Sequence, residues 1–204
     1  MRSAKPPEFY FECQQSGLCC CDPKIIVTTT FLDIYSLYLA LEREFDYLLK
    51  KLSFYRIDTD LSPESRKKLV LSAIHTSDGE IIPGLRKING QNCVFYTRPN
   101  CSIYRYRPRA CKNYPIAFLD NKSENRFIWA KDSEKVCPGV GKGRLLSLTS
   151  LIQERKITLQ DIQAHNDLIN ELNTEASKGT PLSAREVIWL FIVYAEKYLS
   201  TKEE

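Results

Sequence analysis

Apolar residues recur in steps of three and four from Ile34 through Leu37, Tyr38, Leu41, Phe45, Leu48 and Leu49 to Leu52. That spacing predicts one buried face of a helix. Asp33 suits its start, after Thr28-Thr29-Thr30, and Ile25-Ile26-Val27 just upstream reads as a short strand. Ser62-Pro63-Glu64-Ser65 opens a second predicted helix, with Ser62 as N-cap and Pro63 in the first turn, running through Leu69, Val70 and Ile74. The periodicity then stops. Residues 78–141 are punctuated by Gly and Pro and leave room only for short strands at 93–96, 117–119 and 126–130. It returns after Gly143. Residues 145–152 form one apolar segment, and Thr158 caps a helix carrying Leu159, Ile162, Leu168, Ile169 and Leu172. Gly179-Thr180-Pro181 ends that helix. Ser183 caps the last one, with Glu186 as its capping-box partner and Val187, Leu190, Phe191, Tyr194 and Leu199 on its core side.

The pattern predicts an α+β, α-rich fold, in which an irregular centre with short strands is wrapped by helices. Residues 1–143 are expected to form one unit with inserted helices, and 144–204 a helical extension packing on it. At 204 residues the chain is long enough to bury a full core. Even so, a loop-rich stretch as long as 78–141 needs cross-links of some kind.

Cysteines can supply them. There are eight, Cys13, Cys19, Cys20, Cys21, Cys93, Cys101, Cys111 and Cys137, and four of these lie in the loop-rich stretch. No apolar segment follows the N-terminal Met-Arg-Ser-Ala-Lys-Pro-Pro, and the most apolar run, 187–195, is too short to span a bilayer. A cytoplasmic protein that spans no membrane is therefore expected. In a reducing compartment, clustered cysteines serve metals or catalysis more often than disulfides, although disulfides or buried free thiols remain the alternative. Adjacent cysteines do not share one strain-free disulfide easily, whereas thiolates on turns converge readily on a metal. Soft sulfur donors select zinc or an iron–sulfur cluster. His75 and His165 lie far from the cysteines in sequence, which disfavours a Cys/His zinc finger.

Other chemistry is missing. There is no Cys-x-x-Cys dithiol, no phosphate or dinucleotide loop, no S-adenosylmethionine loop and no nucleophile elbow. The formal charge of +4 permits an anionic partner without demanding one. Between Tyr96 and Tyr114, Arg98, Arg105, Arg107, Arg109 and Lys112 alternate with Tyr104 and Tyr106. Arginine interleaved with aromatics suits RNA, a ribosomal surface or a protein partner. The same cations could instead neutralise a thiolate-rich centre, and the sequence leaves both readings open.

Taken together, Cys13, Gly17, Cys19-Cys20, Cys93-Val94-Phe95, Cys101-Ser102-Ile103-Tyr104, Arg107-Pro108-Arg109-Ala110-Cys111-Lys112-Asn113-Tyr114-Pro115 and Cys137-Pro138-Gly139 resemble the YkgJ-like family of CxxCxxCC zinc- or iron-chelating domains. The resemblance covers about residues 9–141. It implies a metalloprotein with Cys13, Cys19, Cys20, Cys93, Cys101, Cys111 and Cys137 as the ligand set. A similar module in flagellin lysine N-methylases implies an iron–sulfur cluster, a [4Fe–4S] cubane being preferred here over zinc. An accessory protein binding RNA, the ribosome or a protein is then expected, with a redox or electron-transfer module as the alternative. Ser16 departs from the pattern, standing where the family has a cysteine, and Cys21 is extra.

Overall fold

A computed structural model of the chain describes residues 8–67, 69–121 and 124–202. The N-terminal residues 1–7, from which the sequence reading takes the absence of a leader, lie outside them. The chain opens with β1 (Tyr10–Phe11) and α1 (Leu18–Cys21), a single turn carrying three cysteines. Next come α2 (Phe31–Ala40), α3 (Phe45–Leu49), β2 (Leu52–Arg56), α4 (Pro63–Arg66), β3 (Ile74–Thr76) and β4 (Gly79–Leu85). Four two-residue strands follow: β5 (Lys87–Ile88), β6 (Asn92–Cys93), β7 (Tyr96–Thr97) and β8 (Asn100–Cys101). After a 3₁₀ turn at Tyr104–Tyr106 come α5 (Arg109–Asn113), the hairpin of β9 (Ile116–Asn121) and β10 (Glu124–Trp129), α6 (Ser133–Val136) and β11 (Arg144–Leu145). Two long helices, α7 (Leu148–Ala176) and α8 (Ala184–Ser200), complete the chain. The fold is α+β with 44% helix, as the pattern predicts. No described helix is long and apolar enough to cross a membrane.

Several boundaries differ from the periodic reading. The long helix expected across residues 34–52 is two helices. Glu42 and Arg43 take left-handed backbone conformations, φ 55° and 64°, which no helix continues through. Its start is Thr30, whose hydroxyl accepts from the Asp33 N–H while the Asp33 carboxylate accepts from the Thr30 N–H. Leu52 then enters a strand. The second helix ends at Arg66, so Ile74 and His75 lie in β3, not on a helix. Thr158 caps nothing. It sits inside α7, which Ser147 caps, and its hydroxyl donates to the Glu154 carbonyl one turn back. The Ser183–Glu186 capping box forms as expected.

The antiparallel sheet β2-β4-β3 has no counterpart in the expected strands. Its middle strand contains Pro83, which cannot donate to a ladder. The Pro83 carbonyl still takes part, accepting from the Thr29 N–H at 3.0 Å on the segment that lies beside the strand. The segment predicted as a strand at 25–27 instead lies against this edge. The Leu85 N–H donates to the Val27 carbonyl, and Gly84 is required because a Cβ there would stand 2.6 Å from that same oxygen.

The main core lies where α2 crosses α8 over this sheet. Phe31, Ile34 and Leu37 meet Val187, Ile188, Phe191 and Ile192, with Leu168 and Ile169 of α7 beside them. A smaller core of Phe9, Ile116, Phe127 and Leu151 sits under the β9–β10 hairpin. Polar bonds tie α7 to the rest. Asn166 accepts from the Ser72 N–H and donates to the Val70 carbonyl, and one heptad on Asn173 does the same with His75 and Ala73. The Asn173 carboxamide serves the edge of β3, and the Asn166 carboxamide the segment just before it. Asn173→Ala is expected to cost about 1 kcal/mol in denaturant unfolding, because it leaves one backbone donor and one acceptor to water. An unchanged midpoint would show that these bonds add nothing net.

Candidate metal centre

Each cysteine segment is anchored by ordinary packing. The two small hairpins are held by Phe95 and Ile103, both buried in the main core. Between them the Ser102 N–H donates to the Phe95 carbonyl at 2.9 Å, which places Cys93 and Cys101 on the core surface. Cys111 rides on α5. This short helix is held at three points: the Arg109 N–H donates to Asp33 (2.8 Å), the Arg109 guanidinium pairs with Asp161 (2.9 Å) and Glu154 (3.4 Å), and Asn113 donates to the Thr158 hydroxyl (2.9 Å). Cys137 ends α6. Cys13 follows β1, which pairs with β11 and whose neighbour Glu12 donates to the Gly139 carbonyl, so both ends of the cysteine region run together.

The α1 turn is fixed from above. Gly17 has φ +76°, and a Cβ there would fall 2.0 Å from the Tyr96 ring. The Tyr96 hydroxyl donates to the Ser16 carbonyl at 3.1 Å. Only glycine permits both the backbone turn and the ring's close approach. On the far side the Lys87 ammonium donates to the Asp22 carbonyl at the end of the same turn.

These anchors place Cys13, Cys19, Cys20, Cys101, Cys111 and Cys137 around one cavity of about 60 Å³, together with Ser16, Tyr96, Tyr104, Arg107 and Tyr114. Cys93 stands just outside the lining, within electrostatic reach of Cys20 and Cys111. Cys21 is also outside it. All eight cysteines are free thiols. Cys19 and Cys20 approach to 4.0 Å between sulfurs. The hydrogen bond shared by the two thiols draws Cys19 down to about 6, and the same bond, with burial and the neighbouring sulfurs, pushes Cys20 up. Burial raises Cys93, Cys101 and most strongly Cys111, and the surrounding thiols add to it. One thiolate is thus easy to form here and several are not, unless a cation joins them.

The histidines take no part. His75, the exposed residue of β3, pairs with Glu80 at 3.0 Å, and His165 is fully buried in α7. The donor set is all sulfur, which suits zinc or iron and excludes hard cations. Among the described residues, no three Cys, His, Asp or Glu groups stand close enough together to enclose a single ion.

The five cations of the 98–112 stretch separate. Arg98, Arg105 and Lys112 are exposed. Arg109 is committed to Asp161 and Glu154. Arg107 turns inward, 3.9 Å from the Cys13 sulfur. Asp161 and Lys87 gave no signal in the sequence, since one lies 50 residues beyond Cys111 and the other in no motif.

No curated protein and no solved structure matches the chain significantly. The family model CxxCxxCC, described as "Putative zinc- or iron-chelating domain", matches residues 12–138, from the residue before Cys13 to the residue after Cys137. α7 and α8 lie beyond it. The match spans more than half of the sequence and takes in every cysteine gathered above, and the chain belongs to this family of zinc- or iron-chelating domains.

Proposed function

We propose that this protein holds an iron–sulfur centre, a [4Fe–4S] cluster, with ligands drawn from Cys13, Cys19, Cys20, Cys93, Cys101, Cys111 and Cys137. One observation carries the reading: six thiols from three distant segments of the chain line a single cavity with no nitrogen or carboxylate donor among them. Two further features favour a cluster over one zinc. A tetrahedral zinc with Zn–S of ~2.3 Å needs its sulfurs about 3.8 Å apart. Cys19 and Cys20 come near that spacing, at 4.0 Å, but among the described residues no group of three possible ligands stands around one point, as a single zinc requires. The cavity also exceeds the roughly 10–15 Å³ that a single water-sized occupant takes.

When bound, the centre supplies cross-links to a region with few hydrogen-bonded strands, and iron adds redox capacity. The chain's own part is to present the sulfurs, to surround them with Tyr96, Tyr104 and Tyr114, and to release protons as the thiols ionise. Residues 1–143 form the metal-binding unit and 144–204 its support, clamping α5 through Asp161 and Thr158. The exposed Arg98, Arg105 and Lys112, with the exposed Tyr106 beside them, support an accessory role toward an anionic partner, RNA on the ribosome or an acidic protein.

Anaerobic purification with iron, sulfide and zinc analysis tests the reading. Brown protein with broad visible absorption and matching iron and sulfide is expected. Colourless protein with stoichiometric zinc would replace the cluster by a structural zinc site.

A further inference from the structure

We infer that Arg107 belongs to the metal centre: its guanidinium holds the N-terminal cysteine loop against the middle loop and offsets the charge of the thiolates. The inference rests on the reading that these thiols bind metal, and it removes Arg107 from any partner-binding face.

Arg107 lies between Cys101 and Cys111 in sequence, directly after the 3₁₀ turn at Tyr104–Tyr106. Its Nε–H donates to the Tyr104 carbonyl at 3.0 Å, and its guanidinium lies over the Tyr104 ring, 3.8 Å from the centroid. These two contacts aim the remaining N–H groups into the cavity that Arg107 lines. One of them reaches the Cys13 sulfur at 3.9 Å, across 94 positions of sequence. That hydrogen bond links the first cysteine segment to the loop of Cys101 and Cys111 without help from a metal. A site whose ligands are partly gathered beforehand gives up less chain entropy on loading.

Charge argues the same way. Four thiolates around a divalent cation leave a net charge of about −2. In a half-buried site that charge is screened poorly, so a fixed cation there counts for more than one on the surface. The guanidinium also stays charged at any working pH. Arg105 and Lys112, the neighbouring cations, point to solvent. Lys87 flanks the centre on its other side but is anchored on the Asp22 carbonyl. Tyr104 acts through Arg107, as the platform that keeps the guanidinium flat against the sulfurs.

The test uses the full chain loaded with its metal and measures transfer to a chelator such as EDTA. Arg107→Gln is expected to hold the metal about 10–100-fold more weakly, the range seen when a group supporting a metal ligand is removed. Arg107→Lys, which keeps the charge but loses the fork and the stacking, is expected to fall between. Arg105→Gln, an exposed neighbour, is expected to match the wild type. If the centre is redox-active, Arg107→Gln also lowers its reduction potential, because a nearby positive charge favours the reduced form. A purely structural role would instead show as equal metal loss in the Lys and Gln variants together with a lower melting point of both metal-free chains, and that overturns the inference. Metal retention in Arg107→Gln within about twofold of wild type overturns it as well. Should Arg107→Gln fail to fold, Arg107→Lys decides, with intermediate retention supporting the role and unchanged retention ending it. A wild-type chain that takes up no metal defeats the metal reading itself. A loaded wild type beside an indifferent Arg107→Gln defeats only this inference.

Discussion

Cys111→Ser is expected to lose most of the bound metal and to unfold the loop region of residues 86–137 while leaving the α2–α8 core folded. Cys111 lines the cavity and also packs against the main core, so it joins the centre to the rest of the protein. Burial and the nearby thiols push its proton affinity up, so ionisation there depends on a bound cation. Apart from the side-chain anchors of α5 and the buried Phe95 and Ile103, the region around it has few backbone hydrogen bonds of its own. Its strands before β9 are two residues long, and the Tyr104–Tyr106 and α5 turns are short. Structural zinc sites contribute on the order of 10 kcal/mol to folding in small domains, so loss of one buried ligand removes a large share of the local stability. Metal analysis, limited proteolysis and amide exchange on the purified variant check this. New cleavage and fast exchange are expected between Arg86 and Cys137, with α7 and α8 protected. Cys21→Ser, outside the cavity lining, is expected to keep its metal. A Cys111→Ser chain with full metal and unchanged protection would remove Cys111 from the ligand set.

Acidification is expected to destabilise the protein through His165, by roughly 3 kcal/mol between pH 7 and pH 4. The ring is fully buried between Phe31 and Phe191, and burial draws it down from 6.5 to about 4. Its Nδ1 accepts from the Phe31 N–H at 3.2 Å, and Phe31 opens α2. His165 thus serves one of the free donors at that helix start, which only a neutral ring can do. A positive charge there would also face the positive end of the α2 dipole. Between pH 6.5 and about 4 the unfolded chain binds a proton that the folded chain refuses. Stability is therefore complete above 6.5, falls as the pH drops through that window, and levels off below about 4. Denaturant unfolding across the range measures it. His165→Gln, which keeps an acceptor for the Phe31 N–H, is expected to flatten this part of the pH profile. The same slope in both chains would assign the acid sensitivity elsewhere.

The expectations that held are those decided by neighbours in sequence. The Ser183–Glu186 box and the Ser62 cap depend on groups three residues apart. β9 and β10 fall on the two short apolar runs that read as strands at 117–119 and 126–130. Periodicity failed where distant segments choose the conformation. Residues 34–52 keep a helical spacing of apolar side chains although the backbone turns at Glu42-Arg43, because the same core receives those side chains from a helix, a second helix and a strand in succession. β4 was hidden by Pro83 and Gly84, two residues that argue against a strand until the 27–29 segment is seen lying along its edge.

For the centre the division is similar. The sequence by itself pointed to the donor type, because eight thiols within 125 positions, with neither histidine near them, favour soft-metal chemistry over disulfides in a reducing compartment. Tertiary structure alone decided which sulfurs share a cavity, that Cys21 stays out of its lining, and that two arginines of one Arg-x-Arg motif face opposite duties. The physical reason is distance along the chain. Arg107 meets Cys13 across 94 residues and Arg109 meets Asp161 across 52, and no local preference encodes a contact that exists only once the core of α2, α7 and α8 has brought its ends together.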